Sequence, residues 1–447
     1  MNQKNFSRDH SSIKNYLSNF SWLFVIRIFR IVLSLFITIW VARYLGPENF
    51  GLFNYALSFV MLFSIFSSLG IEHVFTKDII NNPNNENRLM GSSFVLKLIG
   101  AIFLMLLSIG LIRYLKPNDT LILEMVCIFS FGFLFKSLEI IRFWFEAHVQ
   151  AKYSTIVDAL ALMVSVLFKV ILIVFNASVE VFAWVIFFES LFLSIGLVFI
   201  YMKSGNSIFS WQPSLTTMKN ILIEAWPLML AGALYTIYTR VDQLMLGDMI
   251  NNEAVGVYVA AVNISQGWLF LPTIIGTAFY PAILNARNKD KKTYITLLQD
   301  LLNILSLLGI LVATIIIFVA KPFILLAYGK SYLESSSILI VHIWGGVFIA
   351  MSAISYRYFI AEGLQKTSFY RGLIGLIVNI GMNMILIPIY GALGAAIATV
   401  ISLIMSLYLF NVTNTKTREM FIMQTKALFM INTLQTLLDI KSLKKNV

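Results

Sequence analysis

A chain of 447 residues that is 59% hydrophobic and 12% charged, with a mean hydropathy of +0.83, has about half the charge that covers a soluble globule. That excludes a water-soluble domain and places most of the chain in lipid. The net charge of +11 does not indicate nucleic acid. No basic stripe interleaved with exposed aromatics occurs, and basic residues beside membrane segments are explained by topology. Cys127, the only cysteine, lies in an apolar run, so an internal disulfide and a cysteine-rich metal site are both excluded.

In chain order, the N-terminus is polar for about 18 residues and contains Lys4, Arg8 and Lys14. The first apolar run is long, with no small-residue cleavage signature after it, so it is expected to remain as a membrane helix. A helix needs about 20 apolar residues to cross the hydrocarbon layer, and about twelve segments qualify. The first six are 20–43, 51–73, 90–112, 121–147, 153–175 and 179–202. A polar connector with Gly205, Ser210 and Pro213 follows, and the second six are 221–247, 255–284, 297–319, 335–360, 368–389 and 391–411. The expected fold is therefore all-α: a polytopic membrane protein with two six-helix lobes, 1–203 and 221–411, a cytoplasmic linker 204–220 and a cytoplasmic tail 412–447. Runs of this length exclude a β-barrel, whose strands are about ten residues of alternating polarity.

A weak internal match supports the two-lobe plan. Trp226 to Pro281 is an apolar segment bearing Arg240 and Asp242, a polar turn at Asn251-Asn252-Glu253, and a second apolar segment. Trp22 to Gly70 repeats the pattern, with Leu45-Gly46 on Leu246-Gly247 and Gly51-Leu52-Phe53 on Gly256-Val257-Tyr258, allowing a turn insertion of about four residues.

Loop charge sets the expected orientation. On the N-terminal side of the membrane there are about 20 Lys and Arg; the other side has Arg43, Arg113, Lys116, Lys321 and Lys330. The positive-inside rule then places both termini in the cytoplasm. With an even number of spans per half, the lobes enter the membrane alike and form parallel repeats. The tail from Lys416 to Val447 reads as an interfacial amphipathic helix acting as an anchor.

Charge within the apolar segments carries the functional argument, since each such group costs about 2.5–3.5 kcal/mol on insertion scales and needs a partner, water or a ligand. Arg27 and Arg30, at i and i+3, share one helical face without an acidic residue in their own helix. A planar guanidinium suits phosphate oxygens; the alternatives are carboxylates on neighbouring helices, or snorkelling. Lys97 and Lys169 are further cations, and Asp158 is a possible partner for Lys97. Lys136, Glu139, Arg142 and Glu146 lie along one face of the fourth segment and read as a self-neutralised stripe, with ion coupling as the alternative. Arg240 and Asp242 point to different faces, so Asp242 is free to bind a coupling H+ or Na+, or to anchor a cation across the halves. Glu189 and Asp158 are further coupling candidates, with Glu124 and Glu224 weaker. Arg357 reads as a snorkelling cation and His342 as a satisfied interior residue.

Pro227 opens the seventh segment, where a helix tolerates it, whereas Pro272 within the eighth should kink it. Gly391, Gly394, Ala395 and Ala396 form a small-residue face suited to close helix packing. Catalytic signatures are missing: Gly329-Lys330-Ser331 imitates the end of a phosphate-binding loop, but Ile324 stands where its first glycine is required. Neither an enzyme nor a cofactor is expected.

Three stretches, Ala42-Arg43-Tyr44-Leu45-Gly46-Pro47-Glu48-Asn49-Phe50-Gly51, Asp242 to Gly247, and Val378-Asn379 with Pro388-Ile389-Tyr390-Gly391-Ala392-Leu393-Gly394-Ala395-Ala396, resemble the bacterial polysaccharide (O-antigen) flippases of the Wzx type. These belong to the multidrug/oligosaccharidyl-lipid/polysaccharide exporter superfamily. The resemblance runs from about residue 15 to 411. It implies a twelve-helix inner-membrane transporter that moves undecaprenyl-diphosphate-linked oligosaccharide between leaflets by ion-coupled alternating access, for O-antigen or other lipopolysaccharide synthesis. It also makes membrane lipid, a polysaccharide polymerase and chain-length proteins candidate partners. Carried onto this sequence, the pattern of cavity cations falls on Arg27, Arg30 and Lys97, with Arg240 on the opposing lobe. The rival of the same fold is an ion-coupled multidrug or metabolite antiporter with Asp242 and Glu189 as ion ligands. A third reading is a membrane scaffold for surface-polysaccharide enzymes.

Overall fold

Sixteen α-helices follow one another in the computed structural model, with no β-strand among the described residues. The structure describes the backbone of residues 4–431 and the side chains of Ile26 and residues 28–431. In order they are α1 (Lys4–Leu62), α2 (Ser64–Ser68), α3 (Glu72–Asn81), α4 (Glu86–Leu115), α5 (Thr120–Phe135), α6 (Ile140–Ala147), α7 (Ala151–Val174), α8 (Val179–Lys203), α9 (Leu215–Met249), α10 (Asn252–Gln266), α11 (Phe270–Lys289), α12 (Lys291–Ala327), α13 (Ser335–His342), α14 (Gly345–Ala361), α15 (Gln365–Leu403) and α16 (Thr415–Leu428). Short polar caps separate the long apolar runs. The side chain of Asp119 accepts from the Ile122 amide, Asn251 from Ala254 and Asp290 from Thr293, each satisfying an amide that the first helical turn leaves without a partner.

Ten stretches of the described residues are long and apolar enough to cross a membrane. The expectation of twelve differs from this at two glycines. Gly46 (φ 74°, ψ 167°) interrupts α1, and Gly391 (φ 57°, ψ −134°) interrupts α15, so each helix contains two apolar segments separated by a bend that a residue with a Cβ adopts only under strain. Large apolar side chains such as Phe36, Leu106, Leu167, Phe318 and Ile377 are exposed; in water so much exposed apolar surface would drive aggregation, whereas hydrocarbon solvates it.

The chain forms two compact units. Unit 1 comprises Met1–Tyr44 and Ala56–Thr236, and unit 2 comprises Leu45–Tyr55 and Ile237–Val447. In unit 1, α5 packs between α4 and α8, and α7 packs on α8. Its core gathers Ile71, Phe75, Trp144, Phe145 and Tyr201. The stretch expected to be a linker is folded onto α4, where the Gln212 amide donates to the Asn87 carbonyl (3.0 Å) and the Ser214 amide to the Ser92 hydroxyl (3.0 Å). In unit 2, α12 packs on α11, α14 and α16, and α13 packs on α10 and α15. Leu302, Met351, Ile354 and Phe359 centre that core.

Two local expectations need correction, and the kink expected from Pro272 is present. α9 begins at Leu215, so Pro227 lies inside the helix and not at its opening. The eighth segment breaks at 267–269, one turn before Pro272, where the proline's missing amide leaves a carbonyl without its helical donor. In the tail, α16 does not offer its apolar face to lipid. Met420, Met423 and Ala427 are buried against unit 2, and Gln424 takes the Asn411 amide at 2.7 Å. The rest of the expected tail helix, 432–447, lies outside the described residues.

Candidate functional site

In unit 1 the membrane charges meet across helices. Arg30 of α1 donates to Asp158 of α7 (3.1 Å), and Arg142 of α6 donates to the other oxygen of the same carboxylate (2.6 Å). Two guanidiniums therefore share one anion, and the buried Nε of Arg142 has no hydrogen-bond partner. Lys97 is not paired with Asp158 as expected. Its ammonium lies 3.9 Å from Glu139 and 5.3 Å from the ring of Phe143. Nor does the fourth segment neutralise itself. Residues Lys136–Glu139 form a 3-10 turn between α5 and α6, which changes the helical phase, so that Glu139 turns to Lys97 and Arg142 to Asp158. Arg27 has its backbone in α1, but its side chain lies outside the described residues.

In unit 2 a buried polar cluster forms around Asp242 of α9. Its carboxylate accepts from the Tyr258 hydroxyl (2.5 Å), the Thr399 hydroxyl (2.6 Å) and the Asn383 amide (2.6 Å). The last two come from opposite arms of α15. Gly391 turns the chain back on itself midway between them, and Gly394 lies so close to the Leu386 carbonyl that any Cβ there would collide with it. The bend is thus what brings Asn383 and Thr399 onto one carboxylate. Asn383 also donates to Asn379 (3.3 Å), while its own Oδ1 is buried without a partner. No ion pair to Asp242 occurs among the described residues, so two hydroxyls and an amide converge on a buried carboxylate, and the oxygen of that amide is itself unpaired. Oxygen donors of this kind suit a hard monovalent cation or a proton.

The other candidates are mostly engaged. Glu189 accepts from Ser165 (2.6 Å) and lies 3.9 Å from Lys169; Glu224 pairs with Lys77. Arg357, read as a snorkelling cation, has protein partners. It donates to the Ala353 carbonyl and the Thr277 hydroxyl. His342, facing the Ser265 hydroxyl at 2.8 Å, is the satisfied interior residue expected. Arg240 belongs to unit 2. Sequence reasoning missed Tyr258, Asn379, Asn383 and Thr399 because it searched for charge. The usable signal was Asn379 and Asn383 at i and i+4, two amides on one face of an otherwise apolar helix. It also left Arg371, inside the segment 368–389, without a role. Arg371 is buried, donating to the carbonyls of Ser406 and Leu407 (both 3.0 Å) over the Phe359 ring.

The family model described as "Polysaccharide biosynthesis protein" matches residues 16–287, more than half of the chain, and the MatE model matches 227–385. The capsular polysaccharide biosynthesis protein CapF of Staphylococcus aureus is 24% identical over 397 residues, covering 86% of this chain and 96% of that protein. The probable flippase AglR of Haloferax volcanii is 24% identical, over 82% of this chain and 76% of its own. Among solved structures, the lipid II flippase MurJ in an inward closed conformation superposes with a TM-score of 0.68 at 18% identity, covering 93% and 95% of the two chains.

Proposed function

The chain belongs to the polysaccharide biosynthesis protein family, and from that premise we propose that it is a flippase. Its cargo is an undecaprenyl-diphosphate-linked oligosaccharide repeat unit, moved from the cytoplasmic to the periplasmic leaflet of a bacterial inner membrane for O-antigen or another surface polysaccharide. Both termini lie in the cytoplasm. A relative named for capsular polysaccharide biosynthesis, another named a probable flippase, and the shared fold of MurJ support this reading.

The observation that carries it is the sharing of Asp158 by Arg30 and Arg142. A carboxylate neutralises one guanidinium, so the trio is left with surplus positive charge within a membrane span, where an uncompensated charge is costly. A diphosphate supplies the missing charge and accepts two-pronged hydrogen bonds, while its prenyl tail stays in lipid. Arg27, whose backbone lies one turn from that of Arg30 in α1, is a further phosphate ligand in this reading.

Transport is driven by a cation gradient, with Asp242 as the ion ligand. Tyr258, Thr399 and Asn383 hold its carboxylate, and the unpaired Asn383 oxygen completes the shell around H+ or Na+.

The test is rescue of surface polysaccharide in the native host lacking its own copy, comparing the unmodified chain with Arg27→Ala/Arg30→Ala at matched membrane abundance. Rescue by the first alone is expected; equal rescue by both would overturn the assignment of the diphosphate contact. The MatE match over 227–385 favours a drug antiporter as the second reading, under which neither chain restores polysaccharide and both lower drug accumulation.

A further inference from the structure

The apolar segments 121–147 and 335–360 end in the same elbow. Trp144-Phe145-Glu146-Ala147-His148-Val149-Gln150 closes α6 and leads into α7, and Tyr358-Phe359-Ile360-Ala361-Glu362-Gly363-Leu364 closes α14 and leads into α15. Their backbone hydrogen bonds match one for one. The amides of His148, Val149 and Gln150 donate to the carbonyls of Trp144, Glu146 and Phe145 (3.1, 3.0 and 2.7 Å), and those of Glu362, Gly363 and Leu364 to Tyr358, Ile360 and Phe359 (2.9, 3.2 and 2.7 Å). A helix end of this kind places a left-handed residue after its last turn, which glycine adopts without strain. Unit 2 has Gly363 there (φ 70°). Unit 1 has Val149 (φ 58°), a β-branched residue that holds this conformation only when its surroundings impose it.

The residue before it anchors each elbow. In unit 2, Glu362 accepts from Arg287 Nε at 2.8 Å, a donor that keeps its proton at any physiological pH. In unit 1 the anchor is His148, outside the membrane-spanning stretches. Its Nδ1 lies 2.9 Å from the Trp144 carbonyl, its Nε2 3.7 Å from Glu86 at the start of α4, and its ring stacks on the Trp144 indole at 4.2 Å. The indole N–H donates to the other oxygen of Glu86. Both ring nitrogens therefore face an acceptor. A neutral imidazole has one N–H, and when the Trp144 carbonyl takes it a lone pair is turned on the Glu86 carboxylate. The imidazolium donates on both sides and suits the face of the indole. The other ionisable groups around the elbow are Arg88 of α4, Glu72 and His73 of α3, Glu146 of α6, Lys152 and Tyr153 of α7, and Tyr201 of α8. None of them makes a hydrogen bond or ion pair with His148.

We infer that the elbow joining α6 to α7 is a pH-sensitive lock. Protonated His148 ties the end of α6 to Glu86 of α4 and keeps Val149 in its left-handed conformation; loss of the proton releases both. The lock is complete at acid pH and is lost as the pH rises through the range in which histidine gives up its proton. The elbow of unit 2, with an arginine donor and a glycine in the corresponding roles, has no such switch. The lock itself does not depend on the flippase reading. Under that reading it has a consequence, because Arg142 and Asp158 lie on the two helices that the elbow joins, so its release loosens one arm of the cargo contact as the cytoplasm becomes alkaline.

The experiment is hydrogen exchange of the purified full chain in nanodiscs at pH ~6 and pH ~8, read by mass spectrometry and corrected for intrinsic rates. Protection of 143–153 is expected to fall by about threefold or more between the two, the scale of a partly exposed charged contact. The corresponding peptide of unit 2, 357–367, is the internal reference and should stay level. His148→Gln should abolish the fall, and His73→Gln should leave it intact. A fall no larger than that of the reference overturns the inference, as does one that survives His148→Gln or vanishes in His73→Gln. If His148→Gln fails to fold, Glu86→Gln, which keeps an acceptor for the Trp144 indole, takes its place: loss of the fall supports the lock and persistence overturns it. None of these outcomes bears on polysaccharide rescue by the unmodified chain, so the two readings fall separately.

Discussion

Gly51 and Gly256 close on one another reciprocally: a Cβ on Gly51 would overlap the Asn252 carbonyl, and a Cβ on Gly256 would overlap that of Pro47. These are the two positions that the internal repeat sets side by side, so the same residue type serves the same close approach twice. Replacing either by Val is expected to cost about 1–3 kcal/mol or more, because packed backbone cannot yield as a side chain can. Thermal unfolding of the purified protein would show it. Ala at Gly110 or Gly372, which have open space around them, should be neutral or slightly stabilising.

Asp158 is in direct contact with two guanidiniums, those of Arg30 and Arg142. Asp158→Asn should destabilise unit 1 by about 3–5 kcal/mol, the range for removing one partner of a buried pair. Adding Arg142→Gln to Asp158→Asn should recover part of that loss. A thermal double-mutant cycle measures the coupling, and additive losses would show that the two groups act independently.

Asp242→Asn keeps the shape of the unit 2 cluster but removes its charge. Folded protein should persist, while polysaccharide rescue should be lost if transport is coupled to a cation at Asp242 as proposed. Thr399→Val should reduce transport less, because Tyr258 and Asn383 still hold the carboxylate.

Outside the membrane, Asp290 caps α12 by accepting from the Thr293 amide at 2.8 Å, and this hydrogen bond holds its carboxyl below the ordinary value of 3.8. A depressed value means stabilisation that is complete above 3.8 and lost as the pH falls through the lower folded value. Hydrogen exchange at the start of α12 should therefore be better protected at pH ~6 than at pH ~3, after correction for intrinsic rates. In Asp290→Ala the protection should be weaker and independent of pH over that range.

Arg371 satisfies the carbonyls of Ser406 and Leu407, which belong to a π-helical turn at Ile404–Tyr408. Arg371→Met should remove the side-chain donor of the Ser406 carbonyl, while Asn411 and Gln424 still donate to that of Leu407, and cost about 1–3 kcal/mol, read as a lower unfolding temperature. Arg371→Lys should recover only part of it, because one ammonium cannot reproduce the forked geometry.

Much of this was legible in the sequence. Helix positions follow from apolar run length, because lipid leaves the backbone little alternative, and Arg30 and Asp242 stood out as charges in hydrocarbon. What was hidden depended on partners far along the chain. Nothing near Arg30 announces Asp158, and Lys136 to Glu139 could reveal their change of phase only through the 3-10 turn. Neutral polar residues such as Thr399 and Asn383 look like helix packing until the bend at Gly391 brings them onto Asp242. The glycines themselves were visible, but not which approach each one served.

The two units exchange pieces of chain. Unit 2 takes Leu45–Tyr55 from the N-terminal half, and the continuous helix α9 begins in unit 1 and ends in unit 2. A cut anywhere between Lys203 and Leu215 would thus not yield two self-sufficient parts. The N-terminal fragment would lack the first part of α9 and carry eleven residues that fold elsewhere. Co-expressed fragments would have to find each other before either could finish folding, which makes the protein one cooperative entity despite its duplicated plan.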